Sequence, residues 1–350
     1  MNRSPFILDY SKEDLSDILQ EWGEPSYRLT QLWQGLYHNL WNQAEQFTSL
    51  PKGLRQKLGE HFVFQSIKPV GESISDQGLT RKVLFHTSLA NPIETVLMQS
   101  KDRNTLCISS QSGCGMGCVF CATGQIGFLS NLTSGQIIEQ VLYFARLLRR
   151  EGKALTNIVV MGMGEPFHNF DQTLQAIDCL NDPSGFNFGE RRFTISTVGI
   201  VPMIRKFTAL KRQINLAISL HAADDDLRSR LLPINRKYPL NMLLEACREY
   251  VEQTRRRISF EWVLIQEVND SPEQAKTLAK LLKGLLCHVN LIPLNPTRGY
   301  QGRPPTKQRI QQFKAVLEQH QIPCTVRQPR GISIQAGCGQ LAAVHQGQSS

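Results

Sequence analysis

The chain has 350 residues, of which 41% are hydrophobic and 20% are charged, a composition ordinary for a soluble globular protein. No apolar stretch is long enough to span a bilayer, and the N-terminus lacks the basic and apolar regions of a signal peptide, so we expect a cytoplasmic protein without membrane association. The net charge is +9, and residues 1–70 contribute −1 of it, so the rest of the chain would attract a polyanion. Solvated helix ends and loops would explain the same charges.

Residues 1–75 predict a small helical domain. Ser11 is a helix cap before Leu15, Ile18 and Leu19, which recur at helical spacing, and Gly23 ends the segment. Two further helices fit the stretches SYRLTQLWQGLYHNL and LPKGLRQKLGEHF. Composition alone does not indicate what this domain does.

From about residue 80, apolar strands alternate with amphipathic helices. The strands are expected at 105–111, 157–163, 192–199, 215–222, 258–265, 288–295 and 324–329, with six helical segments between them. This alternation indicates parallel βα units. We predict an α/β fold in which a partial (βα)6 barrel spans residues 100–343. Connecting strands would occupy residues 76–99, and residues 344–350 would form a disordered tail.

Three cysteines follow the first barrel strand in a glycine-rich loop. Cys114, Cys118 and Cys121 form the spacing C-x3-C-x2-C within SSQSGCGMGCVFCATG. Thiolates at this spacing can converge on one metal cluster while the glycines let the backbone fold tightly around it. Three ligands on a four-iron cluster leave one iron open for a substrate or cofactor. A structural zinc site would need a fourth ligand that the neighbouring sequence lacks, and three core cysteines are the other alternative.

The motif resembles the radical S-adenosylmethionine (SAM) superfamily, including the aromatic Phe120 before the last cysteine. Five further motifs, in order along the chain, resemble the RlmN family of adenine methyltransferases: MGMGEP, STVG, ISLHA, NLIPLNP and AGCGQLA. The sister Cfr family is also similar, and Pro166 favours RlmN over Cfr. The resemblance implies a [4Fe–4S] cluster held by the three cysteines, with SAM as the second cofactor.

The resemblance also implies a set of SAM contacts at the carboxyl ends of the barrel strands, where barrels of this kind place their chemistry. Without the resemblance, the residues at these strand ends would be interpreted as strand-to-loop turns and as small polar groups able to bind ammonium, ribose or adenine. The residues that match the family's SAM-binding positions are Gly164, Glu165, Ser196, Ser219, Leu220, His221 and Asn295.

Two thiols outside the cluster motif acquire roles through the same resemblance. Cys338, between two glycines, matches the methyl-carrying cysteine, and Cys107 matches the thiol that resolves the intermediate through a transient disulfide. Glu94 matches the position proposed as proton acceptor. Buried small hydrophobes would explain both cysteines, and a surface strand carboxylate would explain Glu94.

The expected reaction is methylation of carbon 2 of adenosine in 23S ribosomal RNA and in some transfer RNAs. The expected partners are these RNAs, which the helical domain of residues 1–75 is expected to contact, and an electron donor such as flavodoxin, with the protein itself a monomer. The alternatives are Cfr-like methylation of carbon 8 and a radical SAM activase that acts on a partner protein. An electron-transfer iron–sulfur protein would have no use for the SAM motifs.

Overall fold

The computed structural model describes residues 4–328 and 330–342, so the tail expected at 344–350 lies outside the described residues. The α-helices are α1 (Lys12–Glu21), α2 (Tyr27–Trp33), α3 (Lys52–His61), α4 (Ala122–Ile126), α5 (Ser134–Arg150), α6 (Phe170–Asn181), α7 (Val201–Ala209), α8 (Asp225–Leu231), α9 (Leu240–Thr254), α10 (Pro272–Leu281) and α11 (Lys307–Gln319). The strands are β1 (Ile67–Ile74), β2 (Thr80–Thr87), β3 (Pro92–Ser100), β4 (Arg103–Ile108), β5 (Gln111–Gly113), β6 (Phe128–Asn131), β7 (Asn157–Val160), β8 (Phe193–Thr197), β9 (Asn215–Ser219), β10 (Ile258–Leu264), β11 (Cys287–Pro293) and β12 (Cys324–Val326).

Ten of the described strands form one sheet in the order β1-β2-β3-β4-β7-β8-β9-β10-β11-β12. The strands from β4 to β12 in this order pair in parallel, and each crossover between them contains a helix. The predicted α/β fold with βα repeats is therefore confirmed. Strands β1 to β3 extend the same sheet with antiparallel pairs. Strand β1 occupies part of the stretch assigned to the helical domain, and the domain boundaries themselves stay a prediction.

The N-terminal helices form as the sequence indicates and pack directly on the barrel. The Ser11 hydroxyl accepts a hydrogen bond from the backbone of Asp14, whose carboxylate accepts one from Ser11 in return, so α1 begins with a capping box. Asp9 accepts a bond from the backbone of Gly135 at 3.0 Å, at the start of α5. A continuous cluster of buried apolar side chains runs from these helices into the barrel. The two parts therefore share one core.

The sheet curves around a cavity: residues from near both ends of the sheet line the same space. Val96 on β3 and Cys107 on β4 face it from one side, while Ile292 on β11 and Arg327 after β12 face it from the other. The chain after β12 then returns across the cavity and brings Cys338 into its lining. This geometry gathers segments that are more than 200 residues apart in sequence.

Candidate active site

The loop that holds the three motif cysteines lies between β5 and α4, at the carboxyl end of the first barrel strand. Cys114 directly follows β5, and its backbone N–H donates to the Gly127 carbonyl at 2.8 Å. A side chain at Gly113 would overlap that carbonyl, and Gly113 has a φ of 69°, so the close turn requires glycine. Cys121 is the N-cap of α4. All three cysteines line the cavity.

The chemistry of these donors fits an iron–sulfur cluster. Burial raises the pKa of Cys114 to about 12 and that of Cys118 well above the usual range, and the negative charges of neighbouring cysteines add to both increases. Bound iron would offset this cost, because thiolates are the ligands that iron–sulfur clusters take. Within the described ranges, no three His, Cys, Asp or Glu side chains are gathered closely enough to hold a single metal ion. The fit therefore rests on three cavity-facing thiols in a glycine turn.

Glu165 is a buried carboxylate in the cavity lining, and it follows a glycine that allows close backbone approach. A side chain at Gly164 would lie 2.5 Å from Gln111, and its φ is 100°. Glu165 is 2% exposed, and its two carboxylate oxygens accept from the backbone N–H groups of Phe167 at 3.0 Å and Val198 at 2.8 Å. Burial nevertheless raises its pKa to about 7. This carboxylate is fixed in orientation and has capacity for a further donor.

The third and fourth barrel strands contribute small polar groups and a histidine. Ser196, Ser219 and His221 line the cavity, whereas the Leu220 side chain is fully buried and lies outside the lining. His221 accepts a hydrogen bond at Nδ1 from the backbone of Val263 at 3.0 Å, which leaves its proton on Nε2. Burial and a neighbouring arginine lower the pKa of His221 to about 3. His221 is therefore a neutral donor at physiological pH.

Asn295 and the two predicted thiols complete the lining. Asn295 follows β11 and donates from Nδ2 to the Cys338 carbonyl at 3.1 Å. Cys107 and Cys338 both line the cavity. Burial raises the pKa of Cys107 to about 12, and the charge of Cys338 adds to this increase. All nine cysteines of the chain lie in the described part, and none forms a disulfide there.

Comparison with known proteins identifies both parts of this architecture. Residues 108–279 match the model of the radical SAM superfamily, and residues 7–64 match that of the ribosomal RNA large subunit methyltransferase N-terminal domain. The chain is 49% identical to a probable dual-specificity RNA methyltransferase RlmN of Chloroflexus aurantiacus, over 97% of this chain and 93% of that protein. It is 47% identical to dual-specificity RNA methyltransferase RlmN 1 of Myxococcus xanthus, over 96% and 94% of the two chains.

The chain belongs to the RlmN family of the radical SAM superfamily. A crystal structure of a radical SAM methyltransferase from Sphaerobacter thermophilus agrees with this fold at a TM-score of 0.95, with 47% identity over 97% of this chain and 100% of that one. Radical SAM enzymes use a [4Fe–4S] cluster and SAM, and these are the cofactors of this RlmN-family protein. Within the described residues, no helix has the length and apolar character needed to cross a bilayer.

Glu94, like Leu220, is a predicted residue that the structure does not place in the cavity lining. Its side chain is 1% exposed and forms an ion pair with Lys82 at 2.8 Å. The second carboxylate oxygen accepts from the backbone N–H of Ala342 at 3.0 Å. Glu94 is therefore covered by the segment that contains Cys338, and its role as proton acceptor stays a prediction.

Further charged residues border the RlmN-family site, and no motif spacing in the sequence points to them. Glu261 on β10 lines the cavity, receives a bond from Asn290 at 2.7 Å and has Arg327 at 3.6 Å. Arg327 also lines the cavity, and its charge opposes the effect of burial on the pKa of Cys338. Arg228 is fully buried behind the strand ends. A carboxylate within the apolar strand ISFEWVLI was the one sign available for Glu261.

Proposed function

We propose that this RlmN-family protein methylates carbon 2 of adenosine in 23S ribosomal RNA and in transfer RNA. Relatives at 47–49% identity are named dual-specificity RNA methyltransferases, and the N-terminal match is to a ribosomal RNA methyltransferase domain. The observation that supports the chemistry best is the shared cavity: two thiols, Cys107 and Cys338, line the same space as the three motif cysteines. An enzyme that needed only a cluster and SAM would have no use for this second pair.

In this proposal, Cys114, Cys118 and Cys121 would hold the cluster. Glu165, with the backbone of Gly164, receives the SAM amino group, while Ser196, Ser219 and the His221 Nε2–H bind its oxygens. Asn295 contacts the adenine, and Leu220 contributes backbone and packing. The full set of residues assigned to SAM binding is Gly164, Glu165, Ser196, Ser219, Leu220, His221 and Asn295.

Carbon 2 of adenine has no lone pair, so polar methyl transfer fails there and a radical route is required. When bound, the cluster and SAM supply the one-electron chemistry that removes hydrogen from a methyl group. The Cys338 thiolate would take this methyl from a first SAM, which departs as S-adenosylhomocysteine, and hold it as a thioether. Once one hydrogen is removed, its methylene carbon bonds to carbon 2 of the base. The adduct then loses one electron, for which the bound cluster would be the acceptor, and the proton on carbon 2, which Glu94 is predicted to accept. Protein and RNA are left joined through a C–S bond.

Cys107 then resolves this adduct. Its thiolate attacks the Cys338 sulfur, an S–S bond forms, and the C–S bond to the RNA breaks with its electron pair on carbon, which takes up a proton to become the product methyl. The two cysteines together lose two electrons and must be reduced before the next turnover. We predict a flavodoxin-like electron donor, a monomeric enzyme and action on RNA in the cytoplasm.

The decisive experiment compares Cys107→Ala with Cys338→Ala and with the double variant, each reconstituted with cluster and SAM. Cys107→Ala should accumulate a protein–RNA band on a denaturing gel that resists thiol reductants, because nothing displaces Cys338 from the base. Cys338→Ala and the double variant should form no such band. Nucleoside mass spectrometry of wild-type products should give 2-methyladenosine. Methylation at carbon 8, or free turnover by Cys107→Ala, would contradict the proposal.

A further inference from the structure

The segment that contains Cys338 is fastened to the barrel on both sides of the cysteine. Three residues before it, the Gln335 carbonyl accepts from Lys82 Nζ at 3.3 Å. Four residues after it, the backbone N–H of Ala342 donates to Glu94 at 3.0 Å. Lys82 and Glu94 are paired with each other at 2.8 Å. One ion pair therefore holds both ends of the segment around the thiol.

Other bonds tie the same segment to the cluster loop. The Gly339 carbonyl accepts from the backbone of Ala122 at 2.7 Å, and the Leu341 carbonyl accepts from the Thr123 hydroxyl at 2.6 Å. Ala122 directly follows the cluster cysteine Cys121. The position of Cys338 relative to the cluster loop thus depends on how the whole segment is seated.

Lys82 lies in the same cross-sheet row as the resolving thiol. On the sheet, Lys82 of β2 is directly opposite Val96 of β3, and Val96 is directly opposite Cys107 of β4. Side chains directly opposite one another on neighbouring strands project from the same face. The Lys82 anchor and Cys107 are therefore set by one rigid piece of sheet, and the anchor aligns the Cys338 segment with its resolving partner.

The burial of this pair also requires an explanation other than stability. The side chains of Lys82 and Glu94 are 7% and 1% exposed. A buried ion pair adds little net stability, because desolvation offsets the attraction, whereas it can fix one arrangement of the groups that it bonds. The groups bonded here are the two backbone positions that flank Cys338.

We propose that Lys82 is a positioning residue that seats the Cys338 segment, so that the methyl-bearing sulfur faces both the cluster site and Cys107. This inference rests on the proposed function for the roles of the two thiols. Lys82 itself touches neither substrate nor cofactor; it acts through Glu94 and the Gln335 carbonyl. Nothing in the five family motifs includes it.

The first test is hydrogen exchange, followed by mass spectrometry, on the full-length anaerobic protein. Lys82→Met leaves Glu94 as a buried charge, so the main variant is the double Lys82→Met, Glu94→Gln, which is neutral and keeps an oxygen for Ala342. Peptides that cover 331–337 should exchange at least tenfold faster than in wild type, with peptides from β4 unchanged. Arg81→Met is the matched control, since Arg81 is the neighbouring residue on β2 and pairs with Glu72. It should leave the segment's exchange unchanged.

The second test measures coupling, with Glu94 left intact. In Lys82→Met, 5′-deoxyadenosine formed per methylated RNA should rise at least fivefold, because the misplaced methyl is missed, and Lys82→Arg should restore most of the coupling. Wild-type exchange in the double variant would overturn the proposal, because Lys82 would then only neutralise Glu94. Unchanged coupling in Lys82→Met would overturn it as well. A wild-type enzyme that makes no 2-methyladenosine would refute the proposed function instead, and the exchange result would still decide whether Lys82 seats the segment.

Discussion

Arg228 is a fully buried cation at the carboxyl ends of β8 and β9, and its removal should damage both stability and SAM binding. Its guanidinium donates to the carbonyls of Val198 at 2.7 Å, Ser219 at 3.2 Å and Leu220 at 3.1 Å. A fourth bond goes to the Asn235 side chain at 2.8 Å. Burial lowers the pKa of Arg228 to about 10, so it stays protonated at neutral pH. One side chain therefore fixes the backbone beside two predicted SAM motifs.

Arg228→Met should lower the free energy of unfolding by about 3–5 kcal/mol. The methionine fills most of the volume, but four acceptors lose the charged donor of a fully buried side chain, at roughly 1 kcal/mol or more each. The free energy of unfolding of Arg228→Lys should lie between those of the wild type and Arg228→Met, because an ammonium cannot reach all four acceptors. The SAM dissociation constant should rise at least tenfold in Arg228→Met, since Ser219 loses its support.

The measurements are denaturant unfolding and equilibrium SAM binding. The control is Arg205→Met, which removes an exposed arginine paired with Glu249 at 2.9 Å and Glu245 at 3.3 Å. Pairs of this exposed kind contribute about 1 kcal/mol or less. If Arg228→Met unfolded at the same denaturant concentration as Arg205→Met, the four bonds would not support the strand ends as argued.

Two further predictions concern the cofactor and the RNA. Anaerobically purified protein should be brown with about four irons per chain. Iron analysis of the single Cys→Ala variants at positions 114, 118 and 121 should show that this iron is lost. Stoichiometric zinc in the wild type would contradict the assignment. RNA affinity should fall steeply between low and high salt, because neutralised phosphates release counterions. Filter binding across a salt series tests this prediction. An affinity that does not change with salt would show that the basic residues do not form the RNA-binding surface.

The fold was predictable to the extent that local pattern determines it. The parallel strands are rich in apolar and β-branched residues, and each one appears within a few residues of its expected bounds. The sequence failed to indicate β1, whose residues include a proline and a glycine and are mostly exposed. It also missed the antiparallel pair of β5 and β6, two strands of three and four residues that the cluster loop and α4 separate in sequence. These elements depend on partners across the sheet, which a local pattern does not contain.

The site was predictable where residues belong to motifs at strand ends, because parallel strands bring those ends together. Glu165, Ser196, Ser219 and His221 meet in one cavity for this reason. Lys82 was not predictable, since it meets Gln335 across 253 residues of sequence. The N-terminal helices are a similar case: helical spacing predicts a small domain of their own, yet they share the barrel core. Deleting them would expose that core, so point variants are the better test of their RNA contacts.

Glu165 provides a test of the SAM site through pH. Burial raises the pKa of its carboxyl from 4.5 to about 7, so ionisation costs the folded protein more than the unfolded chain. Without SAM, its contribution therefore makes stability fall as pH rises from about 4.5 to about 7. The SAM ammonium, with an α-amino pKa near 8, stays charged over this range and pairs with the ionised carboxylate. SAM affinity should thus rise about tenfold between pH 5.5 and 7, equivalent to about 1.4 kcal/mol.

Glu165→Gln should abolish this rise, and Glu139→Gln is its matched control. Glu139 on α5 also has a pKa raised by burial to about 7, but it accepts from Ser66 and Ile67 and lies outside the cavity lining. Replacing Glu139 should therefore flatten the pH dependence of stability and leave the pH dependence of SAM affinity intact. Isothermal titration of each variant with SAM at a series of pH values distinguishes an effect at the SAM site from a general effect of pH on the fold. A general effect would change both variants alike. A SAM affinity that stays constant with pH in the wild type, or that still rises in Glu165→Gln, would show that the ammonium does not bind at this carboxylate.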